Sequence, residues 1–376
     1  MCYDYTSYVK TITNDPNKPI LADIIAYGFS NRTEVYVIIS VYCVPEAVRS
    51  VEQHQNYSLF YKGIEYTSVF PLKSFYPFHS VMKYVLPSML PSFRYIPHSQ
   101  FYGSFQVTIV NNIQHRVMKD ISVCLQPTGP FVRDTTLCAY ISNYNLVSEI
   151  HHWLAYYDYM NIDKIYLYDT DNYYNLYRSI QKSPIRKKVQ FVNWQFPQNN
   201  LENNLPRQLN HQYAQADSCF YRNKYASRYV MLCDVDEYFY VNSTTTATSF
   251  LPSIKHWINE YPHINAFLAK SNMMMGKTQT WVPRDEYIRE GKLFTYFRYN
   301  LPEIYSGRIK LILLSSFDGI FGLHDCFECS WICPTDDIIR LAHYKQKVLK
   351  RAKQLNVIMP SYQNLVLSRR KELFGY

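Results

Sequence analysis

The sequence predicts an α/β protein in which a β-rich region, residues 1–130, precedes a domain built on a mostly parallel sheet. Three observations lead to this prediction. The early strands are short and interrupted by Pro, Asn and Gly. Later apolar strands alternate with helical segments. A pair of aspartates directly follows the most apolar of these later strands.

Residues 1–130 are predicted to form a separate β-sandwich-like unit. Its strands include Leu21–Tyr27, Glu34–Cys43 and Ser104–Asn111. The run 127–130 (Pro-Thr-Gly-Pro) combines two prolines with a glycine, which is typical of a hinge between domains.

Residues 131–350 show the pattern of βαβ units. In the segment 148–159, Ile150, Trp153, Leu154 and Tyr157 recur at i, i+3, i+4 and i+7, so they share one face of a predicted helix. The other predicted elements are strands at 137–141, 164–168, 189–192 and 229–233 and a helix at 208–223. In parallel sheets ligands bind beyond the carboxyl ends of the strands. Residues 351–376 are predicted to form a C-terminal helical tail.

The net charge of +9 suits an anionic partner. The basic clusters, at 186–188 and 369–371, are short, and no zinc-finger spacing occurs, so the sequence predicts no nucleic-acid partner. A nucleotide diphosphate is an anion that a modest positive field would attract.

Nine cysteines and three Asn-x-Ser/Thr sequons, at Asn31, Asn56 and Asn242, are consistent with a secretory compartment. The sequence contains no run of 18 apolar residues and does not begin with a signal peptide. Membrane association is therefore expected only through an N-terminal anchor that this sequence lacks.

Asp234 and Asp236 come directly after the apolar strand 229–233. If the chain stays extended there, both carboxylates point the same way, into the ligand crevice. Two hard oxygen ligands can hold Mn²⁺ or Mg²⁺, and the ion can bridge to a diphosphate. The alternative interpretation is a solvated acidic turn.

With this motif the sequence resembles glycosyltransferase family 92, over residues 137–344. The resemblance rests on several segments that occur in the family's order: 138–143, the helix 149–159 with Trp153 and Tyr156, 165–172, Trp194, Gln215, Asp217, Cys219, Arg222, 234–239, Lys310, His324 and 343–345.

The resemblance implies a GT-A fold, which is a Rossmann-like sheet with a donor site at its edge. It also implies a metal-dependent, inverting transferase that moves galactose from UDP-galactose onto a glycan acceptor, commonly in a β-1,4 linkage. Family members are usually held in the Golgi by an N-terminal helix.

Further roles follow from this reading. Asn143, Asp169 and Asp171, at the ends of early strands, are candidates for binding the nucleoside. Lys310 is expected to meet a phosphate as a point charge. The candidates for the catalytic base, which would deprotonate the acceptor hydroxyl, are Asp285, Glu286, Asp325 and Glu328.

His324 is predicted to be the third metal ligand, because it follows a glycine-containing apolar run that reads as a strand end. His343 reads as the start of a helix beside Lys345 and is expected to help bind phosphate, because a neighbouring lysine suits a diphosphate better than a cation. Cys326, Cys329 and Cys333 are expected to form disulfides, with a zinc site that includes His324 as the alternative.

A rival interpretation from another class is a glycan-binding or scaffold protein that has lost catalysis on the same fold. Two departures from the family pattern favour it. His152 stands where the family has glutamate before Trp153. Thr295 is the nearest match to the glutamate that the family often carries before Lys310. The intact Asp-x-Asp favours the enzyme.

Overall fold

The computed structural model describes the main part of the chain, and the fold below refers to these residues: 10–11, 20–40, 57–70, 79–89, 103–112, 115–141, 147–170, 174–194, 207–241, 250–275, 288, 293–296, 299–300, 309–324, 326, 329, 331–332, 339–344, 354–355 and 362–375. The predicted site residues Asn143, Asp171, Asp285, Glu286, Asp325 and Glu328 lie outside them.

The strands are β1 Lys10–Thr11, β2 Ile20–Gly28, β3 Arg32–Ser40, β4 Tyr57–Tyr61, β5 Ile64–Tyr66, β6 His79–Pro87, β7 Gly103–Asn111, β8 Arg116–Pro127, β9 Arg133–Ile141, β10 Lys164–Asp169, β11 Val189–Asn193, β12 Ser227–Leu232, β13 Glu237–Val241, β14 Ala266–Met275, β15 Tyr299–Asn300, β16 Ile309–Leu314, β17 Trp331–Ile332, β18 Ile339–His343 and β19 Gln354–Leu355. The helices are α1 Val147–Tyr159, α2 Tyr174–Gln181, α3 Arg207–Asn223, α4 Phe250–Glu260, α5 Leu293–Tyr296 and α6 Gln363–Phe374, and a 3₁₀ helix covers Pro184–Lys187.

The chain divides into two compact units. The first comprises Met1–Val132, Val192–Arg228 and Asp318–Gly322, and the second comprises Arg133–Phe191, Tyr229–Phe317 and Leu323–Tyr376. The first segment ends close to the predicted boundary at residue 130. The sequence analysis had assigned the two later segments of the first unit to the α/β domain.

The first unit holds one continuous sheet among the described residues, in the order β5-β4-β7-β8-β2-β3-β6 with β1 paired to β2, and not the two sheets of a sandwich. Strand β7 alternates buried and more exposed side chains, whereas β3 is buried along nearly its whole length. Helix α3 explains the difference, because it contacts β3 and covers its second face. Arg222 and Ser218 of α3 both bond the buried carboxylate of Asp23 on β2.

The second unit is built on a mixed sheet in the order β11-β10-β9-β12-β16-β14-β15-β19, with β13, β17 and β18 attached to its side. Strands β9 and β10 are parallel, with Thr136 opposite Lys164 and Ile141 opposite Asp169. Strand β16 runs antiparallel to both of its neighbours, β12 and β14. This is the α/β architecture that the sequence predicts, with α1 connecting the parallel pair.

The C-terminal tail differs from the prediction, since the described part begins with the strand Gln354–Leu355 and only then continues as helix α6. A disulfide joins Cys326 and Cys329, which confirms the predicted use of these two cysteines, and Cys333 lies outside the described residues. None of the helices described is long and apolar enough to cross a membrane.

Candidate active site

The aspartate pair lies in a tight turn between β12 and β13. The Glu237 N–H donates to the Asp234 carbonyl at 3.0 Å, and the Asp234 N–H donates to Glu237 Oε2 at 2.9 Å. These reciprocal bonds close a β-turn over residues 234–237. The chain is therefore not extended here, because Glu237 folds back onto the motif, and the condition under which both carboxylates would point the same way is not met.

Lys310 of β16 neutralises the motif from inside the unit. Its ammonium lies 3.0 Å from Asp234 Oδ2 and 3.1 Å from Glu237 Oε2. The Lys310 and Glu237 side chains are almost fully buried, whereas the Asp234 side chain stays 34% exposed. The predicted contact of Lys310 with a phosphate stays a prediction, since here the lysine bridges two carboxylates.

The electrostatics of this trio follow from burial and pairing. Burial opposes the charge on Lys310, but Asp234 and Glu237 outweigh it and raise the pKa of the ammonium above its usual range. Burial raises the pKa of Glu237 to about 7. Burial also works against the Asp234 carboxylate, yet Lys310 holds its pKa below the usual value. Lys310 thus keeps Asp234 anionic where a cation or diphosphate could reach it.

His343 is the imidazole beside Asp236. It is the last residue of β18 and pairs with Glu237 in the β13–β18 register. Its Nε2 lies 3.3 Å from Asp236 Oδ2, and its Nδ1 lies 3.6 Å from Glu237 Oε1. The Tyr344 N–H donates to the Asp236 carbonyl at 2.9 Å, which ties the end of β18 to the turn.

The two positional reasons for preferring His324 are wrong. Residues 315–320 form turns and bends, and only Phe321 has a bridge pairing, so no strand leads to His324. His343 ends a strand and does not begin a helix. His324 Nδ1 lies 2.8 Å from the Ile309 carbonyl, one residue before Lys310, and its charge contributes to the low pKa of Asp234. Both imidazoles therefore belong to this neighbourhood, with His343 next to Asp236.

Of the predicted site residues, the structure brings together Asp234, Asp236, Lys310, His343 and His324. Asp169 ends β10 as predicted and is buried. Sequence reasoning missed the part that Glu237 takes in the turn, although its position directly after the motif was visible.

The comparisons with known proteins bear on the same region. The family model described as glycosyltransferase family 92 matches residues 133–295. Residues 133–295 are a glycosyltransferase family 92 domain. The match confirms the resemblance and the enzyme class. Lys310, His324 and His343 lie beyond its end.

The solved structures similar to this chain share little sequence identity with it. S. aureus TarS 1–349 is 15% identical over 49% of this chain and 47% of that chain, with a TM-score of 0.29. The same protein in complex with UDP-GlcNAc is 13% identical over 64% of this chain and 67% of that chain, with a TM-score of 0.32. Glucosyl-3-phosphoglycerate synthase from Mycobacterium tuberculosis, in complex with Mn²⁺, UDP and glucosyl-3-phosphoglycerate, is 12% identical over 49% and 57%, with a TM-score of 0.25.

The chain spans about half the length of the first of these structures. TM-scores this low carry no argument, so the assignment of the enzyme class rests on the family match. No curated protein matches the chain in sequence.

Helix α1 of the family 92 domain clamps the strand that follows the motif. Trp153 Nε1 and the Tyr157 hydroxyl both donate to the Glu237 carbonyl at 3.1 Å. The Phe239 N–H donates to the Tyr157 hydroxyl at 3.0 Å, and the Tyr156 hydroxyl donates to the Phe239 carbonyl. On its other edge β13 pairs with β18. Side chains of α1 therefore take the place of a neighbouring strand and fix the position of the turn.

The sequence analysis predicted this helical face from its spacing but assigned no hydrogen bonds to its rings. The signal that it missed is the polar tip of each ring, because a buried Tyr or Trp usually finds a hydrogen-bond partner.

Tyr157→Phe is expected to destabilise the family 92 domain by about 1–3 kcal/mol, because it leaves the buried Phe239 N–H without an acceptor. The Glu237 carbonyl would keep its bond from Trp153. Urea unfolding measures the loss. The matched control is Tyr177→Phe, at an exposed tyrosine, where a change within about 0.5 kcal/mol is expected. Equal stability of both variants would contradict a stabilising role for the hydrogen bonds between Tyr157 and β13.

His151 and His152 of α1 are buried imidazoles that fold in the neutral form. Burial, reinforced by the charge of Arg370, lowers the pKa of His152 to about 3 and that of His151 to about 4, from 6.5. His152 Nδ1 lies 3.1 Å from the Tyr238 hydroxyl. His152, which departs from the family pattern, therefore packs against Tyr238 and contacts neither aspartate in the described structure.

These shifts predict acid sensitivity. The unfolded chain binds more protons than the folded chain between pH 6.5 and these lowered pKa values, so stability falls as the pH drops through that window. Each histidine contributes at most about 1.4 kcal/mol per pH unit. Urea unfolding at pH 7 and pH 5 should show a smaller loss for His152→Gln than for the wild type. An identical loss in both proteins would refute the assignment to His152.

The donor chemistry of the site suits a divalent cation. A carboxylate oxygen of Asp236 and the imidazole of His343 are ligand types that Mn²⁺ accepts, and Asp234 adds a second carboxylate. The Asp236 side chain remains 18% exposed, so an ion can reach it. Among the described residues, no three such side chains are already gathered around one point. Binding would therefore have to draw Asp234, Asp236 and an imidazole together.

Proposed function

We propose that this chain is a metal-dependent, inverting glycosyltransferase that moves galactose from UDP-galactose onto a glycan acceptor, with a β-1,4 linkage as the expected product. The observation that carries the proposal is the turn 234–237 of a family 92 domain, where two carboxylates meet His343 and a buried lysine. Such a group suits a cation bound to a diphosphate.

Each residue of the site has a proposed role in binding the metal and the donor. Asp236 and Asp234 hold the donor–metal complex, with His343 or His324 as the nitrogen ligand. Lys310 keeps Asp234 ionised by pairing with it. Trp153 and Tyr157 fix the turn from behind. When bound, the cation neutralises charge that grows on the departing diphosphate.

In the transfer step the acceptor oxygen forms a bond to the anomeric carbon while the bond from that carbon to the diphosphate breaks. A carboxylate takes the hydroxyl proton. The candidates for this base, Asp285, Glu286, Asp325 and Glu328, stay predictions, as do Asn143, Asp169 and Asp171 for the nucleoside and the Golgi lumen as the location.

The rival function, glycan binding without catalysis, drew support from His152. His152 lies 3.1 Å from the Tyr238 hydroxyl, so this departure from the family pattern leaves the aspartate turn intact.

The deciding experiment measures UDP release from a panel of UDP-sugars with Mn²⁺, with and without β-galactosyl or fucosyl acceptors. Turnover that EDTA abolishes and that UDP-galactose supports best is expected. Glycan binding without turnover of any donor would favour the rival. Comparing His343→Ala with His324→Ala under limiting Mn²⁺ identifies the nitrogen ligand, since loss of the ligand should raise the Mn²⁺ concentration needed for half-maximal rate more than loss of the other histidine.

A further inference from the structure

The connection between β10 and β11 carries a surface of cations and aromatic rings. It is called the basic patch here and consists of Tyr174, Tyr177, Arg178, Lys182, Arg186 and Lys187. Tyr174 is 63% exposed and Tyr177 is 45% exposed, and the four cationic side chains are exposed as well. The sequence from 172 to 201 contains neither Asp nor Glu, so no acid from this segment offsets the charge.

The patch is presented by an ordered frame. Leu176 and Ile180 are fully buried and anchor α2 to the unit. Ser183 Oγ caps the following 3₁₀ helix by accepting from the Ile185 N–H. The rings and cations are interleaved, since the Arg178 guanidinium lies 5.5 Å from the centre of the Tyr174 ring.

A nearby acid is already neutralised by other residues. Asp158 pairs with Lys188 at 2.7 Å and with Arg369 at 2.5 Å. Lys188 is therefore not counted in the patch, and Asp158 does not cancel the charge of Lys182, Arg186 or Lys187.

The lysine-rich end of the patch, residues 182–187, and the candidate active site lie toward opposite ends of the parallel strands. The Lys188 carbonyl accepts from the Ile165 N–H, so the basic end of the connection adjoins the start of β10. The Cys233 N–H donates to the Cys138 carbonyl, so Asp234 adjoins the carboxyl half of β9, which runs parallel to β10. A six-residue strand is about 20 Å long at roughly 3.3 Å per residue.

We propose that the basic patch docks the domain on an anionic lipid surface. Lysine and arginine side chains meet the phosphate and carboxylate groups of anionic headgroups, and the attraction adds up over the cluster. Exposed tyrosines beside cations suit the boundary between headgroups and acyl chains, because the ring is apolar and its hydroxyl is polar. This docking departs from the expectation that membrane association occurs only through an N-terminal anchor, and it does not depend on the proposed catalysis.

The test is flotation of the full chain with phosphatidylcholine vesicles that contain or lack phosphatidylserine. Binding is expected only with phosphatidylserine, and it should weaken as salt rises. The variant Lys182→Gln/Arg186→Gln/Lys187→Gln should lose about 100-fold in partition, at about fivefold for each cation removed. The matched control Lys62→Gln/Lys119→Gln/Lys371→Gln removes three exposed cations elsewhere and should change partition by less than about threefold.

A second pair of measurements separates a membrane from a soluble polyanion. Tyr174→Ser/Tyr177→Ser should weaken binding to the vesicles and leave binding to heparin unchanged. Equal losses in the patch variant and the matched control would overturn the proposal, because net charge alone would then account for binding. Heparin binding that depends on the patch, without phosphatidylserine-dependent flotation, would also overturn it. Thermal unfolding confirms that each variant is folded.

Discussion

Asp236→Asn is expected to lower the transfer rate by at least about 10²–10³-fold, the loss seen when one group that stabilises transition-state charge is removed. Asparagine keeps the size of the side chain and removes its negative charge, so both the cation and the contact with His343 lose their partner. The backbone of the turn would survive, because the Asp236 carbonyl still accepts from the Tyr344 N–H.

UDP release and product formation measure the rate, and thermal unfolding shows whether the variant is folded. Asp120→Asn is the matched control, since Asp120 is exposed on the first unit and its positive φ of 55° suits asparagine. The control should keep full activity. A folded Asp236→Asn protein that also keeps full activity would remove Asp236 from the metal site.

The sequence predicts the parts of this chain that depend on local pattern. The helix 148–159 and the strand that leads to Asp234 were predictable, because burial imposes a 3.6-residue period on one and a continuous apolar run on the other. The resemblance supplied the order of the motifs and therefore the lysine and the two histidines of the site.

What could not be predicted depends on contacts between distant residues. The turn at 234–237 forms because Glu237 folds back onto Asp234, and Glu237 is held there by Lys310, which is 73 residues away in the chain. The positional reasons for choosing His324 over His343 were wrong for the same reason. Strand β18 ends at His343 because it pairs with β13 and β14, and no local pattern reveals that pairing.

Lys310→Met is expected to lower the free energy of unfolding by about 3–5 kcal/mol. The reason is that Asp234 and the buried Glu237 would then lie side by side without the cation that pairs with both. Methionine fills a similar volume, so loss of charge and not of packing would dominate. Urea unfolding near neutral pH measures the effect. Adding Glu237→Gln should recover part of it, with a coupling energy of about 1–3 kcal/mol in the double-mutant cycle.

The matched control for this prediction is Lys255→Met, which breaks the ion pair with Asp134. Both partners there are substantially exposed, at 49% and 34%, so a loss below about 1 kcal/mol is expected. Mn²⁺ should stabilise Lys310→Met more than the wild type, since the ion would meet carboxylates that no lysine neutralises. Two results would contradict this role of the Lys310 charge. One is a Lys310→Met protein as stable as Lys255→Met. The other is a Lys310→Met/Glu237→Gln protein that is less stable than Lys310→Met alone.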